Sequence, residues 1–410
     1  SVFGPPAPPP TDSAGAVEQR TPESRSFAPS RIERWSRLME RRGQYHPFRC
    51  FGFERADIDA AVDEALTYLP EHAVVRTDDG TVVPGPHGHP AAPDLVFPSL
   101  TALDIGPDNR VGIVRAPGLN GWDAEATALQ IDRAADLEAR AIGSQLFGRI
   151  PPGHGVRAAR WFEKQCRDDR SAVVSAIAEI ADDHDLDILI VPPVIGATID
   201  RHRPIWTVIR EATEAAVAEH PPATDPVFGW RLYRACRSIW EDSAVARMPA
   251  AASVELDDDR AISLTDREGD QCLCDAVVLA TGRWFGGGMP GDAPMVEALT
   301  GAPIWLDGAP MTADDELFPP DYLDDLPWDD HELFRTGVQV ETTGRLLDRD
   351  GDAYDNIFGA GRLLAGFNPF HDGCALGVEL VTGLAAGRRA ADAVSDVSIP
   401  RDEFDSLETS

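Results

Sequence analysis

Apolar residues recur along this chain with two periods, and the switches between them mark out its architecture. Helical spacing, with an apolar residue at every third or fourth place, predicts helices over residues 29–41 and 55–69. A strand over 111–115 then opens a βα unit, with a turn at 116–121. The helix that follows is expected over 123–146, with Asp123 as its N-cap. A helix over 171–183 leads into a continuous apolar strand, 187–191, and the loop Pro192-Pro193-Val194-Ile195-Gly196. Helices are expected over 204–219 and 229–239, then strands over 254–256, 261–265 and 275–280. A hairpin-like pair, 337–341 and 345–347, turns at Thr343-Gly344. The last unit has a short apolar run, Ile357-Phe358, which breaks at Gly359-Ala360-Gly361. A polar loop follows, then a small-residue helix from near Gly373 to Ala391. Alternating strands and helices predict an α/β protein with a mainly parallel sheet or an α/β cap.

Length and charge narrow the class. At 410 residues the chain is long enough for two lobes. Its net charge is −32, carboxylates run from end to end, and Lys164 is its one lysine. Such a surface fits a protein kept soluble in concentrated salt, where screening reduces self-repulsion, and the expected setting is a halophile's cytoplasm. The charge argues against nucleic acid as a partner and against adhesion to anionic lipid. No apolar run approaches the roughly 20 residues of a spanning helix, and no secretory signal opens the sequence, so direct membrane insertion is not expected.

Six cysteines are scattered without the CxxC pairs of zinc or iron–sulfur sites, and no metal is expected. Cys272 and Cys274 share one strand face and read as buried small residues. His87 and His89 lie in a Gly/Pro-rich stretch without a third ligand and read as part of a turn. Residues 1–30 are expected to be irregular, 292–335 an acidic, proline-rich surface excursion, and 396–410 an acidic tail.

Three glycine motifs compete for a ligand. Gly153-His154-Gly155-Val156-Arg157-Ala158 matches G-x-G-x-x-A by letters but follows Pro151-Pro152 with no strand before it. Gly118–Gly121 follows a strand without the fingerprint spacing and reads as a βα turn. In the third, an apolar strand ends in Ala280-Thr281-Gly282 ahead of a glycine cluster, Gly286-Gly287-Gly288. That places backbone near a flat ligand at the strand's carboxyl end, where open α/β sheets bind ligands. Paired with the strand that breaks at Gly359, it makes two glycine turns suited to one dinucleotide-type site.

These segments carry a resemblance. The stretches AVVLATGRWFGGGM, GAPIWLDG, TGVQVETTGRLLD and NIFGAGRLLAGFNPFHDGCALGV, with the alanine-rich helix after them, resemble the B-type subunit of anaerobic glycerol-3-phosphate dehydrogenase. HPFRCFG at His46–Gly52, RVGIVRAPGLNGWDA and LIVPPVIG are similar to segments placed correspondingly in that family. The likeness covers most of the chain, and its C-terminal motifs are the specific part. It implies a Rossmann-like FAD/NAD(P)-binding flavoprotein fold with an inserted α/β cap or substrate domain. The expected blocks are 1–105, a remnant of the flavin-binding domain with a linker; 106–250, the inserted domain; 251–395, the C-terminal part of the flavin-binding domain; and 396–410, the tail.

The resemblance also implies a function. This is flavin-dependent oxidation of sn-glycerol 3-phosphate to dihydroxyacetone phosphate, with electrons passed to quinone beside catalytic A-type and iron–sulfur C-type subunits. Non-covalent FAD or FMN would contact Thr281, Gly282, Gly359, Ala360, Gly361, Gly366, Gly373 and Gly377. Location would be cytoplasmic, or peripheral at the inner face of the membrane through a partner.

His371 is the candidate for taking a hydroxyl proton, and Arg283 for binding a phosphate or a flavin carbonyl; a loop histidine is also a common capping or surface residue. Family members begin with a strand and a G-x-G-x-x-G turn. None is present in this sequence, so the expectation is a missing N-terminal βα unit of about 40–50 residues. The family's glycine-dense loop is thinned by Ala365, Ala375 and Leu376. Two other readings stay open: another FAD-dependent oxidoreductase of the fumarate-reductase or ketosteroid-dehydrogenase type, and a non-catalytic partner subunit whose flavin site has decayed.

Overall fold

Two compact units account for the chain. Among the described residues, one holds Arg37–Ala65 and Ala246–Asp396; the other holds Arg31–Ser36 and Leu66–Val245. The computed structural model describes residues 31–396 apart from 72, 79–82, 85–89, 92, 101–107, 136–137, 221–226, 242, 244, 249, 285–286, 290–294, 312–321 and 324–329. The expectations for 1–30, for His87 and His89, for most of the acidic excursion and for the tail beyond 396 lie outside the described residues.

In chain order the helices are α1 (Arg31–Arg42), α2 (Pro47–Cys50), α3 (Arg55–Tyr68), α4 (Ala124–Ala135), α5 (Gly155–Asp183), α6 (Ile199–Ala212), α7 (Val227–Glu241) and α8 (Ala375–Asp396). The strands of Leu66–Val245 are β1 (Val75–Arg76), β2 (Val83–Pro84), β3 (Pro90–Ala91), β4 (Leu95–Val96), β5 (Arg110–Val114), β6 (Glu138–Ile142), β7 (Ile188–Val191) and β8 (Ala216–Glu219). Those after Ala246 are β9 (Ala251–Asp257), β10 (Arg260–Asp266), β11 (Gln271–Leu273), β12 (Val277–Leu279), β13 (Trp305–Leu306), β14 (Ala309–Pro310), β15 (Arg345–Leu347) and β16 (Ala353–Gly359).

The Leu66–Val245 unit is built on a four-stranded parallel sheet in the order β6-β5-β7-β8. Its central strands, β5 and β7, bury both faces, as parallel strands covered by helices must. Along β7 the side chains alternate: Ile188 and Ile190 pack with Val111, Ile113 and the Ala124–Ile131 face of α4, whereas Leu189 and Val191 pack with Phe162, Ile177 and Ile209 of α5 and α6.

Two of these strands replace expected helix. The helix beginning at 124 stops at Ala135, and residues 138–142 pair in parallel with β5. Likewise α6 ends at Ala212, and residues 216–219 pair with β7. Both runs, Glu-Ala-Arg-Ala-Ile and Ala-Val-Ala-Glu, are short and alanine-rich, so locally they read as helix. The open edges of the sheet overrule that weak preference. α5 is also longer than expected: it runs from Gly155, and the chain leaves helical geometry at Asp169 (φ −154°, ψ 89°) before resuming.

The other unit combines an antiparallel sheet, β11-β10-β9, with a mixed one, β12-β16-β15. Cys272, expected to be buried, is exposed, and Cys274 is half-buried, because β11 is an edge strand whose side chains reach solvent. In the mixed sheet β12 and β16 run parallel, with Val277, Val278 and Leu279 opposite Ile357, Phe358 and Gly359. α8 packs on this pair through Ala386 and Ala390 against Phe358 and Ala360. Fold and pairing thus define a mixed α/β protein with a wound parallel sheet, compatible with a Rossmann-like arrangement.

Candidate functional site

The site is set by the β12–β16 register. Because the two strands end level, the turns at Thr281-Gly282 and Ala360-Gly361 emerge side by side, tied by Ala360 N–H donating to Leu279 O at 2.9 Å. Gly282 (φ +74°) and Gly361 (φ +70°) sit in the left-handed region, which only glycine enters without strain. Gly361 N–H donates to Thr382 Oγ1 of α8 at 2.9 Å, so the helix is fastened beneath the turn. Thr281 reaches Glu297 Oε1 at 3.4 Å.

Of the eight residues expected at a cofactor, the structure groups Thr281, Gly282, Ala360 and Gly361 at this edge and gives two others internal roles. Gly359 faces Val340, Leu346 and Leu364, where a Cβ would crowd all three. Gly366 (φ +83°) lies against the main chain of Tyr45, whose carbonyl would collide with any side chain there. Gly373 (φ +68°) turns the chain into α8, and Gly377 lies in the first turn of that helix beside Phe48. The substituted positions Ala365, Ala375 and Leu376 are all buried.

The loop Asn368–Asp372 is held by a polar cluster that sequence reading did not find. Asn368 N–H donates to Asp372 Oδ2 at 2.8 Å, and Asn368 Oδ1 accepts from Phe370 and His371 N–H at 3.0 and 3.2 Å. Arg42 grips Asp372 through Nε at 2.7 Å and Nη2 at 2.5 Å, and Asp330 through Nη1 at 2.6 Å. The Asp372 carboxylate is fully enclosed. Burial works against its charge, yet the Arg42 guanidinium and the Asn368 N–H outweigh that and hold it at about 2. Arg42 itself is shifted upward: burial opposes its charge, and its bonds to Asp372 and Asp330 prevail. No local signal announces this cluster, because Arg42 is 330 residues from Asp372.

His371 has Nδ1 at 3.0 Å from Arg41 Nη1 and 3.7 Å from Asp372 Oδ1. A guanidinium can only donate, so in the shorter contact the Nδ1 lone pair is already engaged. Arg283 is buried and turned inward. Its two Nη atoms donate to the carbonyls of Phe334, Leu364 and Phe367, and the group lies 4.7 Å from the Phe367 ring centroid. Burial pulls it down to about 9, so it keeps its charge at neutral pH. It therefore braces the 364–367 loop, with Nε left without a hydrogen-bond partner.

His46 also meets the start of α8. Its Nδ1 accepts from Phe48 N–H at 3.2 Å, which leaves the proton on Nε2, 3.6 Å from Cys374 Sγ. Burial lowers His46 to about 3 and raises the Cys374 thiol well above its ordinary range. Both are neutral at pH 7, so Cys374 is not a thiolate nucleophile.

A second buried cluster lies within the Leu66–Val245 unit. Glu219, at the carboxyl end of β8, takes Arg231 Nη1 at 2.6 Å and Nη2 at 3.0 Å, His202 Nε2 at 3.1 Å and Ile195 N–H at 3.0 Å. Arg231 spends its remaining donors on the carbonyls of Gly196 and Ile195. Burial opposes the Glu219 charge, but Arg231 and His202 hold its carboxyl below the usual range. The group pins the loop after β7. Sequence reading missed it because Glu219 falls at the end of a run that reads as helix.

Among the described residues no cluster of His, Cys, Asp and Glu is placed to hold a metal ion, and no helix is long and apolar enough to cross a membrane.

Fold and site together describe an α/β protein with a sheet edge where two glycine turns meet, one of them fastened to α8. Comparison with known proteins brings a particular one forward. The chain is 27% identical over 376 residues to a Halobacterium salinarum protein named as a probable B-type subunit of anaerobic glycerol-3-phosphate dehydrogenase, an alignment covering 86% of this chain and 83% of that one. Proteins named as B-type subunits of anaerobic glycerol-3-phosphate dehydrogenase from Actinobacillus succinogenes and Yersinia enterocolitica are 25% and 27% identical, over 50% and 51% of this chain and 47% of each of theirs. The family resemblance read from the C-terminal motifs is the one these relatives carry. No family model matches the chain, and no solved structure does.

Proposed function

We propose that this chain is a flavin-carrying B-type subunit of an anaerobic glycerol-3-phosphate dehydrogenase. It would serve the oxidation of sn-glycerol 3-phosphate to dihydroxyacetone phosphate, with electrons passed towards quinone beside catalytic A-type and iron–sulfur C-type subunits. The observation that carries the reading is the parallel register of β12 and β16, which brings both glycine turns to one edge. Relatives named for the same dehydrogenase support it.

The residues present fit part of a flavin. Thr281, Gly282, Ala360 and Gly361 offer close backbone at the strand ends. Beside them Trp284 has a buried indole N–H with no hydrogen-bond partner, a donor free for a polar ring atom. When bound, the flavin supplies the two-electron acceptor that alcohol oxidation needs. The chain's own contribution is electrostatic and positional. The first-turn N–H groups of α8 favour negative charge, and Arg283 stiffens the adjoining loop while keeping a positive charge nearby. His371, its Nδ1 engaged by Arg41, is better placed to hold the loop than to take a substrate proton. This favours electron relay here and alcohol deprotonation in a partner subunit.

A second reading has its own observation. Tyr45 against Gly366 and Phe48 beside Gly377 fill one side of the glycine loop with protein, as expected of a partner subunit whose flavin site has closed. One experiment separates the two. The chain, purified in concentrated KCl and incubated with FAD or FMN, is freed of excess by gel filtration. Retained absorbance near about 450 nm at one flavin per chain is expected. A protein peak without that band overturns the flavin reading and leaves the second standing.

A further inference from the structure

A cleft of about 440 Å³ opens between α5 and α6, lined by Arg167 and Arg170 from the first helix and Arg201 from the second. In a chain with 69 Asp and Glu against 37 Lys and Arg, three guanidinia on one cleft run against the composition. None of the three makes an ion pair among the described residues, whereas Arg203, close by on α6, pairs with Glu71 at 3.0 Å. Two carboxylates share the cleft. Glu163, whose Oε1 takes Ala197 N–H at 2.6 Å, and Asp200 each offset one guanidinium, which leaves the third uncompensated. The lining keeps a net positive charge.

A helix end adds to it. α5 breaks at Asp169, between the two arginines, and Asp169 Oδ1 accepts from Ala172 N–H at 3.0 Å, so Arg170 opens a new helical segment. α6 starts at Ile199 behind Thr198, which makes no side-chain cap bond. Asp169 thus caps the segment that opens at Arg170, and the start of α6, two residues before Arg201, is the one without a side-chain cap. The rest of the lining is apolar: Pro204, the buried Ile205 and the Cys166 thiol, which burial pushes up to about 11 and keeps neutral.

Guanidinium forks match tetrahedral oxyanions two bonds at a time, and the cleft is several times larger than a bare phosphate. We infer that it binds a small phosphate monoester, with the phosphate held by Arg167, Arg170 and Arg201 and a short carbon portion laid against Cys166, Pro204 and Ile205. The inference does not rest on the flavin reading, and a flavin-free protein would leave it intact.

Isothermal titration of the full chain at fixed ionic strength tests it, with propyl phosphate, inorganic phosphate and propanol as probes. Propyl phosphate is expected to saturate at one per chain and to bind more tightly at pH 7.5 than at pH 5, since the dianion forms near pH 6. Inorganic phosphate should bind more weakly, and propanol not at all. Arg167→Gln and Arg201→Gln should each weaken the ester about tenfold or more, and Arg210→Gln on the same helix should leave it unchanged. If either variant misfolds by circular dichroism, Arg201→Lys keeps the charge without the fork, and a loss of several-fold is still expected. The absence of saturable binding, or binding indifferent to Arg167 and Arg201, overturns the site. Inorganic phosphate binding as tightly as the ester overturns the ester as ligand and assigns the cleft to free phosphate.

Discussion

At the residue scale the Arg42–Asp372 pair decides how the loop before α8 is held. A buried carboxylate with a forked guanidinium and a backbone N–H is strongly destabilising to break from one side, because the partner charge is left enclosed. Asp372→Asn is expected to cost about 3–5 kcal/mol at neutral pH, read from urea unfolding of both proteins. The pH dependence follows from the depressed carboxyl. Its folded value of about 2 lies below the ordinary value of about 3.9 for an unfolded aspartate. The contribution is therefore fully present above roughly pH 5 and lost as pH falls through about 2. The gap between wild type and Asp372→Asn should narrow across that window. A gap that stays constant down to pH 2 would mean that Asp372 does not hold its charge in the fold.

At the element scale, two glycines near the same helix should respond in opposite senses. Gly366 combines a positive φ with the carbonyl of Tyr45 where a side chain would stand. Gly366→Ala is expected to destabilise by about 2–4 kcal/mol, since strain and collision add. Gly383, inside α8, has open space around its missing Cβ. Gly383→Ala should stabilise by about 0.5–1 kcal/mol through helix propensity alone. Thermal melts of the two variants check this, and equal shifts would contradict it. The same scale explains the strands that pattern reading lost. β6 and β8 are the two edges of the parallel sheet, and neither Glu138–Ile142 nor Ala216–Glu219 carries a β-branched run. By contrast β7, central and written Ile-Leu-Ile-Val, was legible because full burial demands apolar residues at every position.

At the scale of the whole molecule the net charge of −32 sets the terms. Raising ionic strength from 0.1 to 1 M shortens the screening length from about 10 Å to about 3 Å, so self-repulsion falls away. The melting temperature should rise steadily with KCl from about 0.1 M to several molar. Asp372→Asn, whose carboxylate is enclosed, should show the same slope, because buried pairs are screened far less than surface charges. A melting temperature flat in salt would remove the case that the acidic surface is an adaptation to brine.

The sequence by itself determined the α/β class, the positions of the central strands, the glycine turns after β12 and β16, and the family resemblance that the relatives carry. These follow from local rules: side-chain period, backbone freedom at glycine, and apolar runs long enough to fill a core. Only the tertiary structure decided where Glu138–Ile142 and Ala216–Glu219 belong, that Arg283 faces its own loop, that Gly366 makes room for Tyr45, and that Arg42 closes on Asp372. Each of these depends on a partner far away in sequence. An isolated residue cannot announce the carbonyl, guanidinium or open sheet edge it will meet, and at short alanine-rich strands or buried charges that meeting outweighs any local preference.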